Sequence, residues 1–296
     1  MTVRDKDRST PSDRAAWTGR SDAACDKGDP RVRRTRPVVL LTDFGPQSAY
    51  VGQLKLVLHR LAPQAPVLDL AHDLPPQNRA AAALTLEGAR RFLPRNAVVV
   101  VVVDPGVGSS RRIVAARYAD DVAVLAPDNG ILRAACGFEE PAELRAVANA
   151  ALFLKPVSTV FHGRDILAPV AAKLARGMAW AELGPALSWR HLVPAPWSDA
   201  AFYGDSADAE VILADRFGNL LTNLRAEWLR GHRVLQVRCR RRRFPFVTHY
   251  EAVAPGDPLA LIGSHGRLEL AVRDGSAAER FAISAGHPVR VDFGIR

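Results

Sequence analysis

Six consecutive valines, Val98 to Val103, are the feature that most constrains the fold of this 296-residue chain. β-Branched residues favour strands, and a run that is apolar at every position has no polar face to turn toward water. Such a strand is buried on both sides, as in a parallel sheet with helices on both faces. The run ends on Asp104-Pro105-Gly106, and Arg111 and Arg112 follow shortly after. The exit of a buried strand therefore carries a carboxylate and two guanidinium groups.

The segments around the valine run alternate between apolar strands and helices. Apolar residues recur at helical spacing from Tyr50 to Leu61, and Asn78 is a candidate cap for a second helix that runs to Phe92. A further helix is predicted within 163–177, where a glycine ends it. This alternation predicts an α/β domain over residues 37–190, with a three-layer, mainly parallel sheet.

The pattern changes after about residue 190. Residues 191–206 have the composition of a linker, and short alternating strands separated by glycine-rich turns follow them. We therefore predict a small all-β barrel domain over residues 207–296. Its dense basic run, Arg238 to Arg243, fits the charged tip or edge of a hairpin. The run has few interleaved aromatic residues for stacking on bases, so it does not favour nucleic-acid binding.

Residues 1–36 are charged and poor in large apolar side chains, which predicts a disordered tail. The tail has no apolar segment typical of a secretory signal, and no stretch of the chain reaches the roughly 20 apolar residues of a membrane span. Cys25, Cys136 and Cys239 lie far apart and show no metal-ligand spacing. The sequence thus predicts a cytoplasmic protein without a disulfide framework and without membrane association.

Four of the predicted strands end in polar turns, at residues 42–45, 72–73, 104–106 and 127–130. In a parallel sheet all four open on the same edge, where ligands bind in such folds. Asp, Asn, Pro and Gly are ordinary turn residues, so one such turn is weak support for a site. Four together at this edge favour a functional site.

The turn after the valine run carries the most chemistry. Its glycines allow tight folding, so Arg111 can return toward the Asp104 carboxylate. A guanidinium there favours the ionised form of any acidic group between them, including water. His162 stands just before a predicted helix, and Gly163 allows close approach of the backbone. Asp, Arg and His on one edge suggest an oriented, activated water, and an ion pair that only fixes the loop is the alternative.

The motifs of several common enzyme classes are absent from the sequence. It contains no GxSxG, no Walker loop, no HExxH and no GxGxxG after the first strand. This argues against the common hydrolases, nucleoside triphosphatases and dehydrogenases.

Seven motifs in order resemble those of the S-adenosyl-L-methionine (SAM) hydrolase (adenosine-forming) family, also called SAM hydroxide adenosyltransferases, which are relatives of fluorinase and chlorinase. The motifs are LLTDFG with YVGQLK, AHDLPPQN, VVVDPGVGSSRR, APDNGIL, FHGRDILAPVAA, DRFGNLLTN and GSHGRLELAV. The resemblance covers nearly all of residues 37–296. It implies a fold like that of the bacterial fluorinating enzymes, with SAM as substrate and no cofactor or metal. It also implies a homotrimer with active sites between the α/β domain of one subunit and the β domain of the next.

The resemblance further implies roles for single residues. Asp104, Arg111 and His162 match the triad that binds the water, which attacks the ribose 5′ carbon so that methionine leaves and adenosine forms. Arg112 is less favoured than Arg111, since the halogenases also carry an arginine there. The matches to substrate contacts are Asp43 for the ribose hydroxyls, Asp215 for the methionine amino group, Asn219, Tyr250 and the backbone of 273–275 for adenine, Ser264 and His265 for the methionine end, and Gly163 beside the triad.

A few positions depart from the family pattern. Ser48 stands where relatives usually carry an acid, His265 where the halogenases carry an arginine, and VRDGSA replaces the usual Asn-containing turn. His72 is interpreted as a structural residue that anchors a turn.

Three alternatives remain open at this point. One is a halogenase forming 5′-halo-5′-deoxyadenosine, against which stands the cost of burying a halide beside Asp104. Gly163 also lacks the hydroxyl that a fluorinase offers there. The others are a non-catalytic nucleic-acid-binding protein and a structural oligomer.

Overall fold

The computed structural model describes residues 35–135 and 140–295. The tail predicted over 1–36 lies outside these residues apart from Thr35 and Arg36, and Cys136 lies outside them as well. The first sheet is built from β1 (Val38–Thr42), β2 (Val67–Ala71), β3 (Val98–Val102), β4 (Ile113–Arg117), β5 (Ala123–Pro127) and β6 (Glu143–Ala146). Their order across the sheet is β2-β1-β3-β5-β4-β6.

Four of these strands, β1, β2, β3 and β5, run parallel and match the strands that the apolar runs predict. β4 pairs antiparallel with both β5 and β6. β4 and β6 are missing from the sequence prediction because alanine and charged residues interrupt their apolar pattern, in IVAAR and ELRA. The predicted mainly parallel sheet is confirmed, with one strand running the other way near the edge.

The helices of this domain are α1 (Ala49–Leu61), α2 (Arg79–Ala89), α3 (Ile131–Ala135) and α4 (Ala168–Ala175). α1 and α4 pack on one face of the sheet, and α2 and α3 pack on the other, which gives the predicted three layers. The Asn78 side chain accepts a hydrogen bond from the Ala81 N–H, so the predicted cap of α2 is confirmed. Regular helix stops earlier than predicted, because the last turn to Phe92 is a 3₁₀ turn.

The valine run ties the three layers together. All six valines are buried, and each buried valine side chain contributes roughly 1.5–3 kcal/mol relative to an exposed one. Alternate members face opposite layers: Val98, Val100 and Val102 pack with α1 and α4, and Val99, Val101 and Val103 pack with α2 and α3. The end of β3 is therefore a rigid point from which the following residues project.

The second sheet is formed by residues 201–295, and all its strand pairings are antiparallel. Its strands are β7 (Ala201–Phe202), β8 (Ser206–Ala214), β9 (Leu220–Arg225), β10 (His232–Cys239), β11 (Arg242–Phe244), β12 (Pro258–Ile262), β13 (Arg267–Val272) and β14 (Pro288–Ile295). Their order is β11-β10-β14-β8-β9-β13-β12, with β7 beside β8. A parallel bridge between Phe246 and Ala260 joins the chain after β11 to β12. The sheet thus nearly closes around an apolar core, in agreement with the predicted barrel.

The basic run forms a hairpin tip at the edge of the second sheet, as predicted. Arg240 has a φ of 54° in the turn between β10 and β11, and its guanidinium donates to carbonyls at the end of α5 (Ala277–Phe281). Arg238 pairs with Asp292 at 3.0 Å. The β-barrel itself therefore engages part of this positive charge.

The domain limits predicted from the sequence stay a proposal, with an α/β domain over 37–190, a linker over 191–206 and a β domain over 207–296. The two sheets lie on either side of the predicted linker, although β7 lies within it and pairs with β8. No helix in the described ranges has the length and apolarity needed to cross a membrane.

Candidate active site

The carboxyl ends of β1, β2, β3 and β5 meet at one edge of the first sheet because these strands are parallel. β1 and β3 are neighbours, with Thr42 opposite Val102 in the ladder. One candidate carboxylate follows Thr42 directly, and the other lies two residues beyond Val102. We give the name catalytic edge to Asp43, Asp104, Arg111 and His162.

Asp104, Arg111 and His162 come together through the arginine. Arg111 Nε lies 2.8 Å from both carboxylate oxygens of Asp104, and Nη2 donates to Oδ2. The same Nη2 lies 2.9 Å from His162 Nδ1. The side chains of Asp104 and Arg111 are only 7% and 11% exposed. The three residues that the sequence places in one triad therefore form one hydrogen-bonded group, with Arg111 at its centre.

Arg111 also determines the protonation of His162. A guanidinium has only donors, so His162 Nδ1 must accept the hydrogen bond and carries no proton. Burial lowers the pKa of His162, and the positive charge of Arg111 lowers it further, which favours the neutral imidazole. The proton of that imidazole is on Nε2. No residue in the described part of the chain is hydrogen-bonded to Nε2, so this N–H is left to donate to a ligand.

The turn between β3 and β4 brings Arg111 back to Asp104. Gly108 has a φ of 82°, and a Cβ atom there would lie 2.4 Å from the Thr159 carbonyl oxygen. The Val107 N–H donates to the Asp104 carbonyl and tightens the turn. Only glycine fits at position 108, because both the left-handed backbone and the close contact exclude a side chain. The contact also packs this turn against the segment that leads to His162.

The helix predicted after His162 is present, but it opens with a π-helical turn, Gly163–Leu167, before α4 continues it. Single π turns are frequent at functional sites. A Cβ atom at Gly163 would lie 2.7 Å from Val102 Cγ1. Glycine therefore allows the start of the helix to pack directly on the end of β3, beside the triad.

Sequence analysis does not identify Asp165, which holds the loop around His162. Asp165 is 2% exposed, and it accepts hydrogen bonds from the Ser158 N–H at 2.8 Å and from the Arg164 guanidinium. Burial raises the pKa of Asp165, but the bonds from Arg164 and Ser158 outweigh it and leave the pKa lowered. The sequence signal is an acidic residue beside the apolar face of the predicted helix.

One side chain in each of two polar turns is engaged within the α/β domain. Asp128 is buried and accepts a hydrogen bond from Arg112 Nη2 at 2.5 Å, so Arg112 is engaged away from the triad. His72 is also buried, and its Nδ1 lies 2.9 Å from Thr42 Oγ1. Both placements fit structural roles.

Asp43 is held at the catalytic edge by a strained neighbour. Its Oδ2 accepts a hydrogen bond from the Gln77 N–H at 2.7 Å. Gln77 has a φ of 61°, a left-handed conformation that is uncommon for a residue with a side chain. Strain of this kind is concentrated at functional sites, and nothing in the sequence PPQN marks Gln77 for it.

Three aromatic rings border the catalytic edge. The ring centroids of Phe44, Tyr50 and Phe161 lie 5.2–5.7 Å from one another. Tyr50 begins the apolar helical spacing of α1, but its side chain is 54% exposed and lies outside the buried face. The ring packs beside Phe161 at the surface. Ser48, one of the expected departures from the family pattern, caps α1 by accepting from the Tyr50 N–H at 3.2 Å.

A second group of predicted site residues lies in the β domain, around a cavity of about 790 Å³ that we call the β-domain pocket. It is lined by Phe217, Asn219, Tyr250, Glu251, Val272, Arg273, Asp274, Gly275 and Ser276. The structure thus brings together Asn219, Tyr250 and the backbone of 273–275. Sequence analysis does not identify Phe217, whose side chain is 76% exposed.

Asp215 holds the loop that forms one wall of this pocket. Its Oδ1 accepts hydrogen bonds from the N–H groups of Phe217 and Asn219 at 2.8 and 2.9 Å. Its Oδ2 accepts from Asn219 Nδ2 at 3.2 Å. Asp215 and Asn219, two residues for which the sequence predicts separate contacts with substrate, therefore position each other.

Glu269 lies behind Tyr250 and is a further residue that sequence analysis does not identify. It is 5% exposed and accepts a hydrogen bond from the Tyr250 hydroxyl at 2.5 Å. Burial raises the pKa of Glu269, the Tyr250 hydrogen bond offsets part of this rise, and the charge of Asp215 adds to it. Burial raises the pKa of Tyr250 as well. The available signal is a glutamate in the middle of the apolar strand RLELAV.

Ser264 and His265 lie in the turn between β12 and β13, and both are exposed. They are not part of the lining of the β-domain pocket. The His265 ring lies against Gly88 of α2 in the α/β domain. The structure thus places these two predicted contacts apart from Asn219 and Tyr250.

Within one chain the catalytic edge and the β-domain pocket are separate. Among the described residues, no hydrogen bond or ion pair joins the residues of the one to those of the other. The partners of Asp43, Asp104, Arg111 and His162 belong to the α/β domain, and the pocket is lined only by residues 217–276.

Family models account for both domains. The model of the SAM hydroxide adenosyltransferase N-terminal domain matches residues 38–184, and the model of the C-terminal domain matches residues 209–290. This chain belongs to the SAM hydroxide adenosyltransferase family.

Several relatives in this family have names that state an activity. The (R)-S-adenosyl-L-methionine hydrolase of Thermus thermophilus is 40% identical over 265 residues, which cover 86% of this chain and 99% of that protein. The (R)-S-adenosyl-L-methionine hydrolase of Salinispora tropica is 37% identical over 257 residues, covering 86% of this chain and 96% of that protein. A fluorinase from Actinopolyspora mzabensis is more distant, at 24% identity over 292 residues.

The fold is also similar to folds among the solved structures. The crystal structure of an uncharacterized conserved protein from Thermotoga maritima superposes with a TM-score of 0.77 at 33% identity, covering 86% of this chain and 99% of that one. The family and the fluorinase-like fold that the seven motifs predict are therefore confirmed.

Proposed function

We propose that this chain hydrolyses S-adenosyl-L-methionine to adenosine and L-methionine. The observation that carries the proposal is the group formed by Asp104, Arg111 and His162, in which one guanidinium bridges a carboxylate and a neutral imidazole at the ligand-binding edge of the sheet. Membership of a family whose relatives are named (R)-S-adenosyl-L-methionine hydrolase supports the choice of substrate.

The reaction needs little beyond a well-placed nucleophile. The water oxygen forms a bond to the ribose 5′ carbon, and the bond from that carbon to sulfur breaks with its electron pair going to sulfur. The sulfonium becomes the neutral thioether of methionine, so no acid is needed for the leaving group. The site has to hold the water in line with the departing sulfur, roughly 3 Å from carbon, and away from bulk solvent.

We assign the proton of the attacking water to Asp104. His162 Nδ1 accepts a hydrogen bond from Arg111, and Nε2 already carries a proton. The imidazole therefore donates a hydrogen bond to the water and orients it, but it does not act as the base. Arg111 favours the ionised form of the water before it attacks, because a guanidinium stabilises the hydroxide beside it. Among the three side chains, the Asp104 carboxylate is the one that can accept the proton of the water.

The other predicted site residues are proposed to bind the rest of the substrate. Asp43 accepts hydrogen bonds from the two ribose hydroxyls, an arrangement suited to a two-oxygen acceptor. Tyr250 stacks on adenine. The remaining proposed contacts are Asn219 with adenine, Asp215 with the methionine ammonium, Ser264 and His265 with the methionine end, and Gly163 beside the water.

We propose further that a neighbouring subunit completes each site in a homotrimer. Both halves of the site expose large aromatic side chains, since Tyr50 is 54%, Phe217 76% and Tyr250 42% exposed. Exposed apolar surface beside polar site residues is typical of an interface or a ligand site. A head-to-tail contact that places one subunit's catalytic edge on the next subunit's β-domain pocket would close a ring of three.

The chemistry is tested with SAM in ¹⁸O-labelled water, with and without excess chloride, and with both sulfonium epimers. We expect adenosine labelled at its 5′ oxygen, together with methionine and with no dependence on chloride. A 5′-chloro product would replace this proposal with the halogenase. Absence of any product from either epimer would contradict SAM hydrolysis.

The shared site is tested by subunit complementation. Asp104→Asn removes the catalytic half and Asp215→Asn the pocket half, and the two variants are co-expressed with different tags and purified through both. If the halves of a site come from different subunits, each mixed trimer has one intact site, so about a third of the sites in the doubly purified sample are intact. If one chain supplies both halves, the mixture stays as inactive as its components.

A further inference from the structure

Helix α2 contains a glycine where a helix would normally avoid one. Gly88 is the next-to-last residue of α2, and glycine is unfavourable within a helix because it loses much conformational freedom. Its φ is an ordinary helical one, so the backbone does not require glycine here. A Cβ atom at this position would lie 2.9 Å from Cδ2 and 3.4 Å from Nε2 of His265. The missing side chain leaves the space that the imidazole edge occupies.

Glu87, the residue before this glycine, contacts the loop of His265 at a second point, Arg267. Glu87 Oε2 accepts hydrogen bonds from Arg267 Nε at 3.0 Å and Nη2 at 2.8 Å. Glu87 Oε1 pairs with Arg225 at 2.6 Å. Arg267 is 2% exposed, so it depends on this carboxylate for compensation of its charge. Arg267 stands two residues after His265, and α2 therefore contacts the loop at two nearby points.

The loop that contains His265 and Arg267 is a tight turn over residues 263–267, and hydrogen bonds hold its backbone. The Gly263 N–H donates to the Arg267 carbonyl at 3.0 Å, and the Gly266 N–H donates to the Gly263 carbonyl at 2.9 Å. Ser264 and His265 lie between the two glycines of this turn, and the side chains of both are exposed. With the backbone held, the orientation of the His265 ring is decided by what lies beside it.

We propose that Glu87 and Gly88 are positioning residues for substrate binding, which hold the turn at 263–267 so that His265 faces the methionine end of the substrate. The inference rests on the proposed function, in which Ser264 and His265 contact that end. It makes the α/β domain of each chain responsible for the orientation of a binding loop in its own β domain.

Gly88→Ala tests the positioning role, with Gly52→Ala as the matched control. Gly52 lies in α1, and a Cβ atom there would meet nothing within 4 Å. Alanine favours helix at both positions, so neither variant should lose thermal stability. We expect Gly88→Ala to raise KM for SAM by roughly fivefold with little change in kcat, because the new methyl group displaces the ring and one hydrogen bond to substrate is lost. Gly52→Ala should leave both constants unchanged.

The pair His265→Ala and His265→Ala/Gly88→Ala shows whether the effect passes through His265. We expect His265→Ala to raise KM and Gly88→Ala to add nothing in its presence, which is the coupling of two residues that act together. Unchanged KM in Gly88→Ala, or an additive effect in the double variant, would overturn the inference while SAM hydrolysis stands.

A readout without substrate separates this inference from the proposed function. The ring signals of His265, assigned by their loss in His265→Ala, are followed by NMR. They should shift in Gly88→Ala and not in Gly52→Ala. If they shift while wild-type protein neither binds nor hydrolyses SAM, the positioning contact stands and the proposed function fails. If they do not shift, the positioning contact itself is wrong.

Discussion

The catalytic edge and the β-domain pocket differ in how their charges are compensated. At the catalytic edge, the Asp104 carboxylate is paired with Arg111 of the same domain. In the β-domain pocket, Asp215 is hydrogen-bonded to neutral N–H groups and Glu269 to a tyrosine hydroxyl. Among the described residues neither of these two carboxylates has a lysine or arginine partner.

This difference indicates a division of labour. A compensated group of buried charges keeps its geometry before the substrate arrives, which is what a site for a small nucleophile needs. Two carboxylates that have no cation beside them attract a positively charged ligand more strongly than a carboxylate already paired with arginine does. SAM carries two such charges, an ammonium and a sulfonium. The first region is therefore expected to control kcat, and the second the affinity for a cationic substrate.

Removal of Arg111 should break the catalytic edge with the largest effect. Arg111→Ala leaves Asp104 without its cation and His162 Nδ1 without its donor, so the three groups no longer act as a unit. We expect kcat to decrease by roughly 10³-fold with KM changed far less. Arg112→Ala is the matched control, since Arg112 pairs with Asp128 instead. It should cost thermal stability and leave kcat near the wild-type value. Equal losses of kcat in both variants would contradict the assignment of Arg111 to the triad.

Glu87→Gln should weaken the link between the two domains. Arg267 would be left buried without its carboxylate, and breaking a buried pair in this way costs roughly 3 kcal/mol of unfolding free energy. Denaturant unfolding of Glu87→Gln is compared with that of Asp208→Asn, which removes the partner of Arg290 in a pair whose side chains are 38% and 54% exposed. A loss no greater than that of Asp208→Asn would mean that Arg267 finds its compensation elsewhere.

Glu269→Gln tests the uncompensated charge of the β-domain pocket. Glutamine still accepts the hydrogen bond from Tyr250 but carries no charge. At alkaline pH we expect KM for SAM to rise by roughly tenfold, while the affinity for adenosine, which has no positive charge, stays the same. Calorimetric titration with both compounds separates the two. Equal weakening for SAM and adenosine would show that Glu269 acts only by holding the Tyr250 ring.

The smallest effect is expected from pH, and it should be confined to the catalytic edge. Burial and the charge of Arg111 lower the pKa of His162 below its ordinary value of 6.5. Because the neutral ring is the active form, kcat should stay constant as the pH decreases through 6.5 and fall only below the lowered pKa. The folded protein then binds fewer protons than the unfolded chain, so the free energy of unfolding also decreases as the pH falls through this window. A decline in kcat that begins above the ordinary histidine value, and that is absent in His162→Asn, would contradict the neutral ring.

Local sequence patterns predict much of the fold because they report burial. The valine run is apolar at every position, and it is core on both faces. Asn78 caps α2 as predicted, since a cap depends on neighbours within one turn. Helical spacing does not predict the exposure of Tyr50, because it identifies a face of the helix and not what covers each residue of that face. β4 and β6 are missed because their short segments gain strand structure from pairing with β5 and with each other.

The candidate site is predicted to the extent that its residues follow motifs. Asp104, Arg111 and His162 are separated along the chain, yet the strand-end argument and the resemblance select all three. Asp165 and Glu269 are not selected, since a buried carboxylate in an apolar segment shows its purpose only when its hydrogen-bond partners are known.

Short stretches of sequence were enough to predict the four parallel strands of the first sheet, the edge of that sheet at which the candidate residues lie, and the family. These follow from periodicity, turn residues and motif order, which are properties of short stretches of chain. The folded chain was needed to show that Arg111 bridges Asp104 and His162, that His162 is a neutral donor, and that Glu87 and Gly88 of α2 contact the loop of His265. Each of these depends on distances between residues far apart in the chain, and packing sets such distances.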